Sequence, residues 1–84
     1  MNKIVWMPKA LKQARKIEKN DRFTIFKKVL DLTHFPNVQN VKALKNYKYQ
    51  YRLRVGNYRV MFDFQNKIKI ISIEEVKKRD ENTY

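Results

Sequence analysis

Arg52, Arg54 and Arg59 are the residues of this chain best suited to chemistry on an anion. They fall within YQYRLRVGNYRVMFD, Tyr49 to Asp63. Tyr49, Tyr51, Leu53 and Val55 alternate with Gln50, Arg52 and Arg54; then Tyr58, Val60 and Phe62 alternate with Arg59, Met61 and Asp63. A period of two belongs to a β-strand, so the aromatic and aliphatic set is expected on one face and the guanidinium groups on the other. Gly56, the only glycine, precedes Asn57 where the two runs meet. Glycine takes the positive φ that a short hairpin turn demands, so a hairpin is predicted there. By parity Arg52 and Arg59 share the polar face of adjacent strands. A guanidinium fork matches phosphate oxygens, and its charge stabilises a phosphorus centre that gains negative charge in a transition state.

The elements that must position this face are read from the rest of the chain. Lys3 to Met7 (KIVWM) is a short apolar strand candidate, with Trp6 expected in the core. Pro8 then stands where the first turn of a helix tolerates a missing N–H. Ala10, Leu11, Ala14 and Ile17 recur at helical spacing, with Lys9, Lys12, Lys16 and Lys19 outside. Asn20 and Asp21 break that pattern and offer a cap for a second helix to about Leu32, with Ile25, Phe26, Val29 and Leu30 on its buried stripe. Thr33 to Tyr47 holds Pro36 and three asparagines and reads as irregular, with a turn of helix around Val41 to Leu44. After the hairpin, Asn66 marks a turn, Lys67 to Ile73 (KIKIISI) forms an adjacent strand, and Glu74 to Tyr84 is a charged tail. Tyr49, Tyr51 and Tyr58 are expected to pack within or at the edge of the sheet.

The expected fold is α+β, in the order β-α-α-β-β-β. A small, largely antiparallel sheet carries both N-terminal helices on its oily face. No repeat, linker or composition shift divides the chain, so residues 1–84 are expected to form one domain. A chain of 84 residues has a thin core, which five tyrosines, five phenylalanines and one tryptophan help to fill.

Charge narrows the function. Twenty Lys and Arg against eight Asp and Glu give a formal net charge of +12, which calls for a polyanion or an acidic protein partner. The positive charge is not confined to one amphipathic helix, so a membrane surface is disfavoured. No run approaches the roughly 18 apolar residues of a membrane span, and no signal-peptide pattern opens the chain, so a cytoplasmic location is expected. With no cysteine and one histidine, His34, a disulfide framework, a thiolate metal site and a paired-histidine site are all excluded. No Gly-rich phosphate loop, nucleophile setting or carboxylate cluster of metal-binding spacing appears, so neither cofactor nor metal is expected.

The run LKNYKYQYRLRVGNYRVMFD, followed by IKIISI and VKKRDENTY, resembles the RelE/ParE superfamily of toxins from bacterial type II toxin–antitoxin pairs. The likeness covers nearly the whole chain. It favours the RelE branch, since arginine is kept in the hairpin and an Arg…Tyr pair in the tail. The resemblance implies a toxin that enters the ribosomal A site and cleaves messenger RNA there, and that an acidic antitoxin wraps and silences. Outside that complex the toxin is expected to be a monomer. Within the motif, Arg59 falls on the family's phosphate-contacting arginine, Arg79 on its tail arginine and Tyr84 on the tail tyrosine that stacks on a base. Tyr84 stands one residue closer to its arginine than in the best-known members.

Arg52 and Gln50 occupy positions where those members carry lysines. Arginine, with a pKa above about 12, is a poor general base, so Lys78 or Lys48 is considered as proton acceptor. Arg52, Arg59, Arg79 and Tyr84 are thus the candidate catalytic set, with Lys48, Gln50, Arg54 and Lys78 as RNA-binding residues. Metal-free cleavage by attack of a 2′-OH on its own 3′-phosphate fits such a cationic face. Two alternatives stand beside this reading: a ParE-like toxin that inhibits DNA gyrase without cutting RNA, and a basic nucleic-acid binder with no catalytic function.

Overall fold

The computed structural model describes residues 1–79. The first strand, β1 (Lys3–Trp6), leads through Met7 into α1 (Pro8–Arg15) with Pro8 in its first turn, as the sequence predicts. Ala10 and Ala14, one helical turn apart, are fully buried, and their small side chains let the helix lie close over its neighbours. Lys12 and Arg15 occupy the last turn, where cations complement the helix dipole.

The next helix, α2 (Lys19–Leu30), is capped by Glu18 and not by the expected Asn20 or Asp21. The Glu18 Oε2 accepts from the backbone N–H groups of Asn20 (3.0 Å) and Asp21 (3.2 Å), satisfying two of the otherwise orphaned donors of the first turn. A 3₁₀ turn over Asp31–His34 then changes the angular step between residues. Leu30, expected on the buried stripe, is 62 % exposed, whereas Leu32, which continues the i, i+4, i+7 face of Ile25 and Val29, is fully buried.

Val41–Ala43, read from the sequence as a turn of helix, is instead an edge strand, β2. It pairs antiparallel with β3 (Tyr51–Val55), Val41 opposite Leu53 and Lys42 opposite Arg52. The predicted hairpin is present: β3 and β4 (Tyr58–Gln65) pair from Val55 opposite Tyr58 to Tyr51 opposite Phe62. Gly56 takes φ +55° in the turn. The last strand, β5 (Ile70–Lys78), begins after a turn over 66–69 and runs five residues beyond Ile73 into the stretch taken for a charged tail. Together the strands form one sheet in the order β1-β5-β4-β3-β2, parallel only between β1 and β5.

The core lies on one face of this sheet. Leu53, Val55, Val60, Phe62, Ile71, Ile73 and Val76 meet Ala10, Ile25, Val29 and Leu32 from the helical layer. Tyr51 stacks on Phe62 at 5.4 Å, Phe35 meets both rings edge-on, and half-buried Trp6 meets Phe26 edge-on at 4.8 Å. Tyr51 and Tyr58 pack against the core as expected, whereas Tyr49 lies in the loop before β3, its ring against Tyr47.

A bulge between β4 and β5 decides what reaches the other face. Met61 opposes Glu75 and Phe62 opposes Ile73, so Glu74 is the extra residue. Uninterrupted alternation from Ile71 and Ile73 would put Glu75 and Lys77 under the helices and turn Val76 and Lys78 to the opposite side. With the bulge, Val76 joins the core, and Glu75 and Lys77 share the face of Met61 and Arg59. Past the end of β1, the exposed side of β5 is closed by α1, whose Gln13 Oε1 accepts from the Val76 N–H at 2.7 Å.

Candidate functional site

On the face opposite the core, two cross-strand rows carry the charge. One row runs Arg54, Arg59, Lys77 across β3, β4 and β5; the next runs Lys42, Arg52, Met61, Glu75 from β2 to β5. Like charges directly opposed across a ladder are destabilising unless counter-charges stand beside them, and Lys77 has one in Glu75, 3.9 Å away.

Arg59 is the centre of the arrangement. It sits on a middle strand and is 6 % exposed, an unusual burial for an arginine. Burial first, then the charges of Arg52, Arg79 and Arg54, lower the pKa of its guanidinium from the ordinary value. Arg79 follows β5 on the side of Lys77, and its N–H donates to the carbonyl of Asn57, tying the end of β5 to the hairpin turn. Beside Arg59 lies an open groove of about 490 Å³, lined by Arg52, Arg59, Lys42, Ala43, Leu44 and Lys45.

Beyond Met61 the same face carries Glu75, only 4 % exposed, with Asp63 farther along β4. The Glu75 Oε2 accepts from Lys9 Nζ at 2.7 Å, its Oε1 from the Tyr47 hydroxyl at 3.2 Å, and Lys77 Nζ stands 3.9 Å away. Burial pushes the pKa of Glu75 up, but the bond and charge of Lys9, with Lys77 and Tyr47, outweigh it and hold the group below its usual value. The same bond raises the pKa of Lys9. Through Tyr47 the loop 44–50 is fastened across this face.

The sequence-predicted residues distribute unevenly. Arg52 and Arg59 line one groove, Arg54 stands opposite Arg59 on β3 and lines a separate hollow with Asp31 and His34, and Arg79 follows the end of β5. Gln50 turns elsewhere: its Oε1 accepts from the Phe64 N–H at 2.7 Å, and its own N–H donates to Asp63 Oδ1 at 2.8 Å, closing the start of β3 onto β4. Lys48 lies in the loop with Nζ 5.3 Å from the Tyr49 ring centre. Lys78 pairs with Tyr58 and shares the helix-side face, while Lys77 takes the place opposite Arg59. Tyr84 lies outside the described residues. Lys42, Lys45 and Lys77 were not singled out from the sequence, because the short edge strand, the loop after it and the bulge leave no periodic trace. Among the described residues no group of three or more His, Asp or Glu is placed to hold a metal ion. Nor is any described helix long and apolar enough to cross a membrane.

Comparison with known proteins follows the fold. The family model for the ParE toxin of the type II toxin–antitoxin system parDE matches residues 4–83. A search of curated protein sequences finds no match. Among solved structures, the isolated RelE toxin of E. coli superposes with a TM-score of 0.80 at 18 % identity, covering 99 % of this chain and 89 % of its own. The archaeal RelE–RelB complex from Pyrococcus horikoshii gives 0.80 at 22 % identity, covering 95 % and 97 %. The RelBE2 toxin–antitoxin complex from Mycobacterium tuberculosis gives 0.80 at 17 %, covering 93 % and 98 %. At these identities the structures establish a shared fold.

Proposed function

The chain belongs to the ParE toxin family of type II toxin–antitoxin systems, within the RelE/ParE superfamily; from its arginine face and RelE-like fold we propose that it is a ribosome-dependent endoribonuclease that cleaves messenger RNA in the A site. The observation that carries this reading is the buried guanidinium of Arg59, with Arg54 directly opposite it across the ladder and Arg52 lining the same groove. A cationic cluster around a buried guanidinium is suited to a phosphate whose charge increases during reaction.

In the proposed step the 2′-oxygen attacks the adjacent phosphorus and the bond from phosphorus to the 5′-oxygen breaks. The products are a 2′,3′-cyclic phosphate and a 5′-hydroxyl, with one proton leaving the 2′-OH and one reaching the 5′-oxygen. Arg59 and Arg52 hold the phosphate in the groove, and Arg79, anchored on the hairpin turn, closes from the end of β5. Holding the nucleotide in line supplies much of the acceleration, and removal of one such donor typically lowers kcat by about 10²–10³-fold. The Gln50 side chain serves the sheet, so the reading assigns it no contact with RNA. The step is drawn without a metal or cofactor, and the site of action is the cytoplasm, where ribosomes and messenger RNA are.

An antitoxin partner follows from the family, and several solved relatives are themselves RelE–RelB complexes. A net charge of +12 suits an acidic antitoxin segment laid across the arginine face. The second reading, a ParE-like toxin acting on DNA gyrase, is favoured by the family model that matches, which is that of the ParE toxin. Induced expression separates the two readings. The ribonuclease reading expects protein synthesis to stop within minutes without DNA-damage signalling, and Arg59→Ala or Arg79→Ala to restore growth. Strong DNA-damage signalling with intact messenger RNA would move the assignment to gyrase.

A further inference from the structure

Tyr47 is a large side chain left 43 % exposed beside the most highly charged part of the molecule. Three observations distinguish it from an ordinary surface aromatic. First, its hydroxyl is held by Glu75, a carboxylate whose own side chain is 5 % exposed and which Lys9 also grips. A buried carboxylate on an anion-attracting face works against anion binding, so its place there calls for another role. What it does is fix the tyrosine's outer end and leave the ring open. Second, the ring of Tyr49 meets Tyr47 edge-on at 6.0 Å, with the Lys48 ammonium over Tyr49, giving aromatic rings interleaved with positive charge. Third, the loop that carries these rings begins with Leu44 and Lys45, which wall the groove that holds Arg52 and Arg59. Glu75 and Arg59 are diagonal neighbours on adjacent strands, which places their side chains about 7–8 Å apart at the backbone.

From this geometry we propose that Tyr47 is a stacking platform for an unpaired nucleobase next to the phosphate held by Arg52 and Arg59, with Glu75 as the residue that positions it. The proposal rests on the RNA reading above and adds a subsite to it. Stacking needs only a π-face, so the subsite takes any base and contributes affinity and alignment without reading sequence. A ring pinned before binding loses little freedom when the base arrives.

The test uses a single-stranded hexaribonucleotide carrying 2-aminopurine, whose fluorescence falls when the base stacks, and a matched oligonucleotide with an abasic residue at that position. The wild-type protein is expected to quench the probe. Tyr47→Phe keeps the ring but loses the bond to Glu75, so it quenches to the same plateau while binding less tightly than wild type. Tyr47→Ala loses it and binds the intact probe about tenfold more weakly, yet binds the abasic one as wild type does. Circular dichroism and thermal unfolding confirm that each variant is folded. If Tyr47→Ala weakens both oligonucleotides equally, the tyrosine only shapes the loop and the proposal is overturned. Unchanged quenching in Tyr47→Ala overturns it as well. Ribosomal cleavage by the wild-type protein is measured in parallel. Tyr47-dependent quenching without cleavage supports the subsite and refutes only the nuclease reading.

Discussion

Replacing Glu75 with glutamine removes one charge from the face opposite the core while keeping shape and hydrogen-bonding reach. In the wild type this buried carboxylate accepts from Lys9 at 2.7 Å and from Tyr47 at 3.2 Å, with Lys77 at 3.9 Å. Hydrogen bonds to charged groups contribute about 1.5–3 kcal/mol net, and an amide oxygen recovers part of that. The Lys9 ammonium is half exposed and screened by water, so the estimate rests on the carboxylate: a loss of about 1–2 kcal/mol. For a domain of this size that is a fall in Tm of about 4–16 °C at pH 7.

The pH dependence of this variant adds a signature. The folded-state pKa of Glu75 lies below its unfolded value, so its contribution is present above the unfolded pKa of about 4.3 and is lost as pH falls through the folded value. Thermal unfolding followed by circular dichroism from pH 7 down to pH 3 should show the gap between wild type and Glu75→Gln narrowing at the acid end. A gap of constant size, or a variant as stable as wild type at pH 7, would refute the argument that these lysines stabilise the carboxylate.

Three further outcomes are expected. Arg54→Thr relieves the directly opposed Arg54–Arg59 pair, so stability in urea should rise by about 0.2–1 kcal/mol, while the slope of log K against log salt for single-stranded RNA falls by about 0.7. Gly56→Ala meets no neighbouring atom within 4 Å, so its effect is confined to the backbone at φ +55°: a loss of about 1 kcal/mol by chemical denaturation, with Gly56→Asn milder. Glu18→Ala uncovers the first-turn N–H groups of α2 and should lower stability by about 0.5–2 kcal/mol, seen as faster amide exchange at Asn20 and Asp21.

The hairpin was legible because it obeys simple periodicity: aromatic and arginine residues alternate over two runs, and the lone glycine sits where the turn needs positive φ. Pro8 and the Ala10–Ala14 spacing announced α1 for equally local reasons. The features that escaped are those set by tertiary contact. β2 has three residues, too few for a period, and exists because β3 offers it a partner. The bulge at Glu74 shifts the facing of all that follows, so Lys77 and not Lys78 lies opposite Arg59. Leu30, by contrast, was misplaced for a local reason: the buried face follows Ile25, Val29 and Leu32 at i, i+4 and i+7, which leaves Leu30 outside it. Of the candidate site, the arginines were visible in the hairpin and at the end of β5. The lysines of the groove wall were not, since they come from an edge strand and the loop after it.

The most direct test of the central claim is 3′-end mapping of a defined messenger RNA on purified ribosomes with an empty A site, with wild-type protein and with Arg59→Ala. The account predicts new ends within the A-site codon, and a loss of about 10²–10³-fold in cleavage rate for the variant. Intact RNA with wild-type protein, or cleavage undiminished in Arg59→Ala, would contradict it.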